Sequence, residues 1–136
     1  MFTTKFSNAI NKGVYNPNLG GNGMYKDISI VRGDTLAFNF EAEIKQNEEY
    51  TPVTALTSAY FTVRQEINGV IALQKSLNNG ISKVKDGVFA VRVAPADTYN
   101  LNVGSYYYDL EISVGSDTYT ILNGMFELAQ DITREA

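Results

Sequence analysis

The sequence predicts an all-β domain, an antiparallel sandwich of about seven to nine strands. Three observations predict it. Extended runs alternate apolar and polar residues, Gly, Asn, Asp and Pro punctuate those runs, and no stretch sustains a helical period. The clearest run is LAFNFEAEI, where Leu36, Phe38, Phe40, Ala42 and Ile44 fall on one side and Ala37, Asn39, Glu41 and Glu43 on the other. Side chains of an extended strand point to opposite faces in turn, so this strand has one buried and one wet face. A parallel sheet is not expected, because nothing is available to serve as crossover helices.

Each element follows in chain order. DISIV, from Asp27, is a first strand, and Arg32-Gly33-Asp34 turns the chain into Leu36 to Ile44. The RGD triplet invites an adhesion reading, but Gly and Asp are what a tight turn between strands requires, and the turn reading is favoured. QNEEYTPVTALT reads as a loop. Ser58 to Ile67 alternates, with Phe61 and Val63 on one side and Tyr60, Thr62, Arg64 and Glu66 on the other. Asn68-Gly69 then predicts a hairpin with a type I′ turn, returning through Val70 to Ser76. LNNGIS and Lys85-Asp86-Gly87 are further turns, and Val88 to Val93 places Phe89, Val91 and Val93 on one face. Ala94 to Leu101 predicts a helical turn, in which Pro95 pre-sets φ and Asp97 caps local amides. After Gly104, Tyr106, Tyr108, Leu110, Ile112 and Val114 share the inner face, while Tyr107, Asp109, Glu111 and Ser113 face out. Gly115-Ser116-Asp117 turns into Thr118 to Leu122, Asn123-Gly124 marks a bulge, and Met125 to Ala129 closes the fold before a polar end.

Residues 1–26 differ from the rest and predict an extended or partly disordered N-terminal arm, leaving residues 27–136 as the sandwich domain. The arm is rich in Asn and Gly, which favour turns and irregular backbone. It also carries Phe2, Phe6, Val14, Tyr15 and Leu19, apolar side chains that a solvated linker does not need. These five are the candidate partner-binding residues. The spacing allows a short helix over Lys5 to Lys12, and Gly20, Gly21 and Gly23 form the expected hinge.

Composition narrows the chemistry. A chain of 136 residues is one domain by length. With no cysteine, disulfides and thiolate-held metals are excluded, and with no histidine, a Ser-His-Asp or Cys-His site cannot exist. An enzyme would have to work with carboxylates, lysine or tyrosine, so the expectation is a non-enzyme with no catalytic residues, metal or cofactor. The net charge of −4 is uneven: residues 1–26 hold Lys5, Lys12 and Lys26 and no acid, so the acids lie in the main body. An acidic body argues against a nucleic-acid partner, while a basic arm suits an acidic neighbour such as another copy of the chain. The N-terminus has no long apolar run, so neither a signal peptide nor a membrane partner is expected.

Two constellations invite function. In SYYYDL the outward Tyr107 is a candidate ligand platform, with Tyr50 and Tyr99 on loops as companions for a sugar. The plainer reading, that the inward tyrosines fill the core and one exposed tyrosine is ordinary in a strand, is favoured. Glu41 with Glu43, and Asp109 with Glu111, are carboxylate pairs that could hold calcium or act as acid and base, yet alternate wet positions are where charges belong in a strand. Phosphate-binding glycine loops and a nucleophile elbow are missing from the sequence.

From Tyr25 to Ile132 the chain resembles a group of bacteriophage virion modules, nearest the N-terminal domain of phage baseplate upper proteins. Three pieces carry the resemblance: DISIVRGDTLAFNF, the hairpin FTVRQEINGVIALQKS, and LNVGSYYYDLEISVGSDTYTILNGMFELAQDIT. It implies an immunoglobulin-like β-sandwich that is a non-enzymatic structural protein of the virion (baseplate, tail, neck or capsid surface). Such a protein would be made in the host cytoplasm, and would assemble in multiple copies with other virion proteins and with copies of itself. The alternative expectation is a carbohydrate-binding β-sandwich module built on Tyr107.

Overall fold

The computed structural model describes residues 2–8, 12–13, 24–46 and 49–133. Among them lie β1 (Phe2–Asn8), β2 (Lys12–Gly13), β3 (Met24–Tyr25), β4 (Ile28–Val31), β5 (Leu36–Gln46), β6 (Glu49–Pro52), β7 (Ser58–Arg64), β8 (Ile71–Leu77), β9 (Gly80–Lys85), β10 (Val88–Val93), the single turn of helix α1 (Pro95–Thr98), β11 (Gly104–Val114) and β12 (Asp117–Ala129). The all-β expectation holds. The strands form one curled sheet in the order β2-β1-β5-β10-β9-β8-β7-β11-β12-β3, with β4 also on β12 and β6 also on β5.

The alternation read in the sequence becomes burial. Phe38 and Phe40 of β5, Ala59, Phe61 and Val63 of β7, Phe89, Val91 and Val93 of β10, and Tyr106, Tyr108, Leu110 and Ile112 of β11 are all buried. Curling brings distant strands together. The ring of Phe38 meets that of Phe61 edge-on at 5.9 Å, although β5 and β7 are separated in the sheet by β10, β9 and β8. Phe61 also touches Tyr108 at 5.5 Å and Phe126 at 6.4 Å. Edge-on and tilted rings favour such contacts beyond the area they bury.

The sheet is mixed, which corrects the antiparallel expectation. β3 and β4 run parallel to β12, and β8 and β9 meet in parallel at Ser76–Gly80 and Leu77–Ile81. Crossover helices are unnecessary for the pairs on β12, because everything from β5 to β11 connects β4 to β12. Other local readings also change. Phe2–Asn8 is a strand antiparallel to β5, with Phe2 opposite Ile44 and Asn8 opposite Phe38, where a helix over Lys5 to Lys12 had been allowed. β6 forms inside the expected loop and pairs with the end of β5.

The Asn68-Gly69 turn is wider than a two-residue hairpin. β7 ends at Arg64 and β8 starts at Ile71, with Gly69 N–H bonded to the Glu66 carbonyl at 2.8 Å. Only Asn68 of the pair takes a left-handed backbone, at φ 64°. The bulge in β12 falls at Ile121, because Leu110 pairs with Leu122 but Glu111 with Thr120. Gly124 has a different task. A Cβ there would lie 2.2 Å from the carbonyl oxygen of Lys26, so the glycine is what lets β3 and its exit close on β12.

One polar cluster fastens the ends of the domain. The Arg32 guanidinium holds the buried Asp131 carboxylate, with both its Nε and its second terminal nitrogen at 2.8 Å. Gly33, at φ 85°, turns the chain so that its N–H donates to the fully buried Thr98 hydroxyl at 2.9 Å. The Asp97 carboxylate accepts from Ala94 N–H at 2.7 Å and from Lys75 Nζ at 2.8 Å, which anchors α1 as its sequence predicted.

Two outcomes test this account. Arg32→Ala strands the Asp131 carboxylate in a site that is 5% exposed, and chemical denaturation should show a loss of about 3 kcal/mol. Gly124→Ala forces β3 away from β12, and should cost about 1–3 kcal/mol in the same measurement.

Candidate functional site

The outer face of β7, β11 and β12 carries the candidate site. Cross-strand register fixes which outward side chains are neighbours. Tyr107 lies opposite Arg64 on one side and Met125 on the other. Two residues along, Asp109 lies opposite Thr62 and Asn123, and Asn123 lies opposite Tyr25 of β3. Directly opposed residues in a sheet have Cβ atoms about 5 Å apart. These two rows, with Ile67 and Asn68 of the β7–β8 loop at the rim, line an open groove of about 430 Å³.

The groove mixes aromatic and polar side chains: Tyr107 stands between Arg64 and Met125, and Tyr25 ends the row of Thr62, Asp109 and Asn123. Tyr25 is 69% exposed and Tyr107 40% exposed. Arg64 is held against the rim loop by donating to the Gly69 carbonyl at 2.5 Å. Thr62 accepts from Gln74 Nε2 at 3.0 Å, which leaves its own hydroxyl proton for another partner. Beneath the groove the Tyr108 hydroxyl donates to the Lys26 carbonyl, and Met125 N–H donates to Asp27 at 3.0 Å. Burial, with the Asp27 charge adding to it, pushes the Tyr108 hydroxyl far up, so it stays a donor.

Three ionisable groups show how these side chains sense one another. Partial burial raises the Asp109 carboxyl above its ordinary 3.8, the Glu111 charge raises it further, and Arg64 acts the opposite way. The Tyr25 hydroxyl is raised chiefly by its hydrogen bond to Asp27, and Tyr107 contributes, so the two exposed tyrosines feel each other. Burial also raises Tyr106, whose hydroxyl donates to the Asn102 carbonyl at 2.5 Å.

The sequence-predicted residues are distributed as follows. Tyr107 faces outward between buried Tyr106 and Tyr108, as expected, and lines the groove. Tyr50 on β6 and Tyr99 beyond α1 are exposed but do not line it, so the tyrosines expected to form one platform are not brought together there. Tyr25 takes that place, through a parallel pairing that no local pattern announces. Phe2 and Phe6 stand opposite Ile44 and Phe40 on the edge of β5. Val14, Tyr15 and Leu19 lie outside the described residues. Glu41 and Glu43 sit on β5, away from Asp109 and Glu111 in the sheet order. Among the described residues, no group of three or more acidic side chains is placed to hold a metal ion. None of their helices is long and apolar enough to cross a membrane.

No family model and no curated protein matches the chain. Among solved structures it is similar in fold to part of a family 123 glycoside hydrolase from Clostridium perfringens, whose structure was described for its glycolipid glycan hydrolysis. The TM-score is 0.52 at 14% identity, over 81% of this chain and 23% of that one. The chain therefore spans less than a quarter of that enzyme, and the likeness is one of fold.

The Asp109 site generates a pH prediction. A carboxyl raised in the folded state takes up its proton before the unfolded chain does, so its contribution to stability falls as pH rises from 3.8 through the raised value. Asp109→Asn removes that contribution. Thermal melts should show the variant at least as stable as the parent at pH 7, with the difference shrinking as pH falls through the raised value towards 3.8.

Proposed function

We propose that the chain is a non-enzymatic structural module of a bacteriophage virion, an immunoglobulin-like sandwich that assembles in multiple copies and joins other virion proteins. The strand order supports the finer fold reading. The one curled sheet brings β5 over β7, with Phe38 meeting Phe61 across the core, as two facing layers of a sandwich would. Immunoglobulin-type sandwiches carry a tyrosine near the start of one late strand whose hydroxyl bonds back to the chain just upstream. Tyr106 makes that bond to Asn102, next to the start of β11.

The observation that carries the virion reading is the placement of β1. The N-terminal strand lies along the free edge of β5 over seven paired positions, and residues 9–23 separate it from β3. An N-terminal strand that adds to a sheet edge can add equally well to the edge of a neighbouring copy, because the backbone bonds are the same. Its register sets Lys5 opposite Glu41, in keeping with a basic arm on an acidic body. The resemblance of DISIVRGDTLAFNF and SYYYDL to baseplate upper-protein domains supports the virion reading for the β-domain, and the N-terminal strand is where this chain departs from them. The residues that stand out in those motifs, Arg32, Gly33 and Tyr106, make structural bonds.

Light scattering on the purified chain is the test. The full chain should form oligomers, and deletion of residues 1–23 should leave a folded monomer with the thermal transition of the β-domain retained. A full chain that stays monomeric at high concentration, or a deletion variant that still forms the same oligomer, counts against the proposal.

A further inference from the structure

We infer that the groove on β7, β11 and β12 is a saccharide-binding site, a role beyond assembly, with Tyr25 and Tyr107 as its aromatic walls and Arg64, Asp109 and Asn123 as its polar floor. The inference starts from volume and shape. A groove of about 430 Å³ falls in the range of small-ligand sites, which combine apolar surface with a few converging polar groups. Its depth comes from the chain itself: Tyr25 rises at one end from a strand fastened beneath it, and the β7–β8 loop rises beside Arg64.

The polar groups specify the ligand class. Arg64 can only donate, ionised Asp109 can only accept, and Asn123 and Thr62 can do both. Neighbouring hydroxyls of a sugar ring each donate and accept, so they match donors and acceptors interleaved at strand spacing. The two tyrosines supply faces for the C–H side of such a ring and hydroxyls at their tips. Other classes fit less well. An anion meets Asp109 and Glu111, a cation meets Arg64, and a wholly apolar ligand would strand the carboxylate and guanidinium without partners.

The groove is also set in position before any ligand arrives. The Tyr25 hydroxyl is bonded to Asp27, whose carboxylate accepts from Met125 N–H at 3.0 Å. Arg64 is tied to Gly69, and Thr62 to Gln74. Groups held in this way lose little freedom on binding.

Saturation-transfer NMR with glucose, galactose, N-acetylglucosamine and their β-linked disaccharides at millimolar concentration tests this on the full chain. At least one sugar should receive saturation and shift the amide signals of Tyr107, Asp109 and Asn123. Tyr107→Ala and Asp109→Asn should each weaken binding about tenfold or more, while Tyr50→Ala, outside the groove, should leave it unchanged. No transfer to any sugar overturns the inference, as does binding that Tyr107→Ala and Asp109→Asn leave intact. Either result is independent of the oligomer test, because the groove and the β5 edge lie on different strands.

Discussion

The fold depends on the ring of Phe61. It sits fully buried on β7 and touches Phe38, Tyr108 and Phe126, from three strands spread along the sheet. A sheet has two faces, and an isolated sheet of this kind would leave one apolar face in water. Curling around Phe61 lets the inner faces of β5 and β10 cover those of β7, β11 and β12. The outer faces are then what the same alternation leaves over. The groove and the core are therefore two readings of one pattern: Tyr106 and Tyr108 point in because Tyr107 points out.

The polar clasp completes what the aromatic core begins. Arg32 and Asp131 are about a hundred residues apart in sequence, and their bond closes the first turn of the domain onto its last strand. The triplet Arg32-Gly33-Asp34 could be read as an adhesion motif. Its arginine is engaged by Asp131 and, at 3.4 Å, by the Leu101 carbonyl, and its glycine N–H is engaged by Thr98. A motif whose first two residues are used in closing the fold is not presented as a flexible recognition loop. Asp131 lies just past β12, and Thr98 and Leu101 at and just past the end of α1, so three chain segments meet at this one turn.

Much of the fold was legible because strand burial has a period of two, and that period is written directly in β5, β7, β10 and β11. What was not legible has a common cause. Pairings between segments distant in sequence leave no local trace. Parallel addition of β3 and β4 to β12 depends on Gly124 admitting the Lys26 carbonyl, and a lone glycine in a strand reads equally as a bulge. β6 hides in a polar stretch because an edge strand needs no apolar face. Half of the site was legible in the same sense. Tyr107, Asp109, Thr62 and Arg64 were all assigned outward, but that they share one surface required knowing that β7 and β11 are neighbours. Tyr25 carried no signal of its own. Asn-Gly at positions 68 and 69 predicted the right kind of turn residue but not its length, since Glu66 and Ile67 join the turn instead of extending the strand.

Asp109 shows that this surface is not arranged for stability alone. A carboxylate two positions from Glu111 on the same face, partly buried, is held against both desolvation and a like charge. A threonine or serine there would pair across the strands equally well and carry neither penalty. Local conflicts of this kind gather where a surface has a task besides folding. Arg64 offsets part of the conflict, but its own position is set by the Gly69 carbonyl, so the guanidinium is oriented by the rim loop and shared with the groove. The edge of β5 presents the opposite case. There Lys5 stands at the register position of Glu41, and the pairing is made by backbone bonds that any strand can supply. The β5 edge is thus held by backbone pairing with β1, and the face of β11 by side chains whose charges oppose one another.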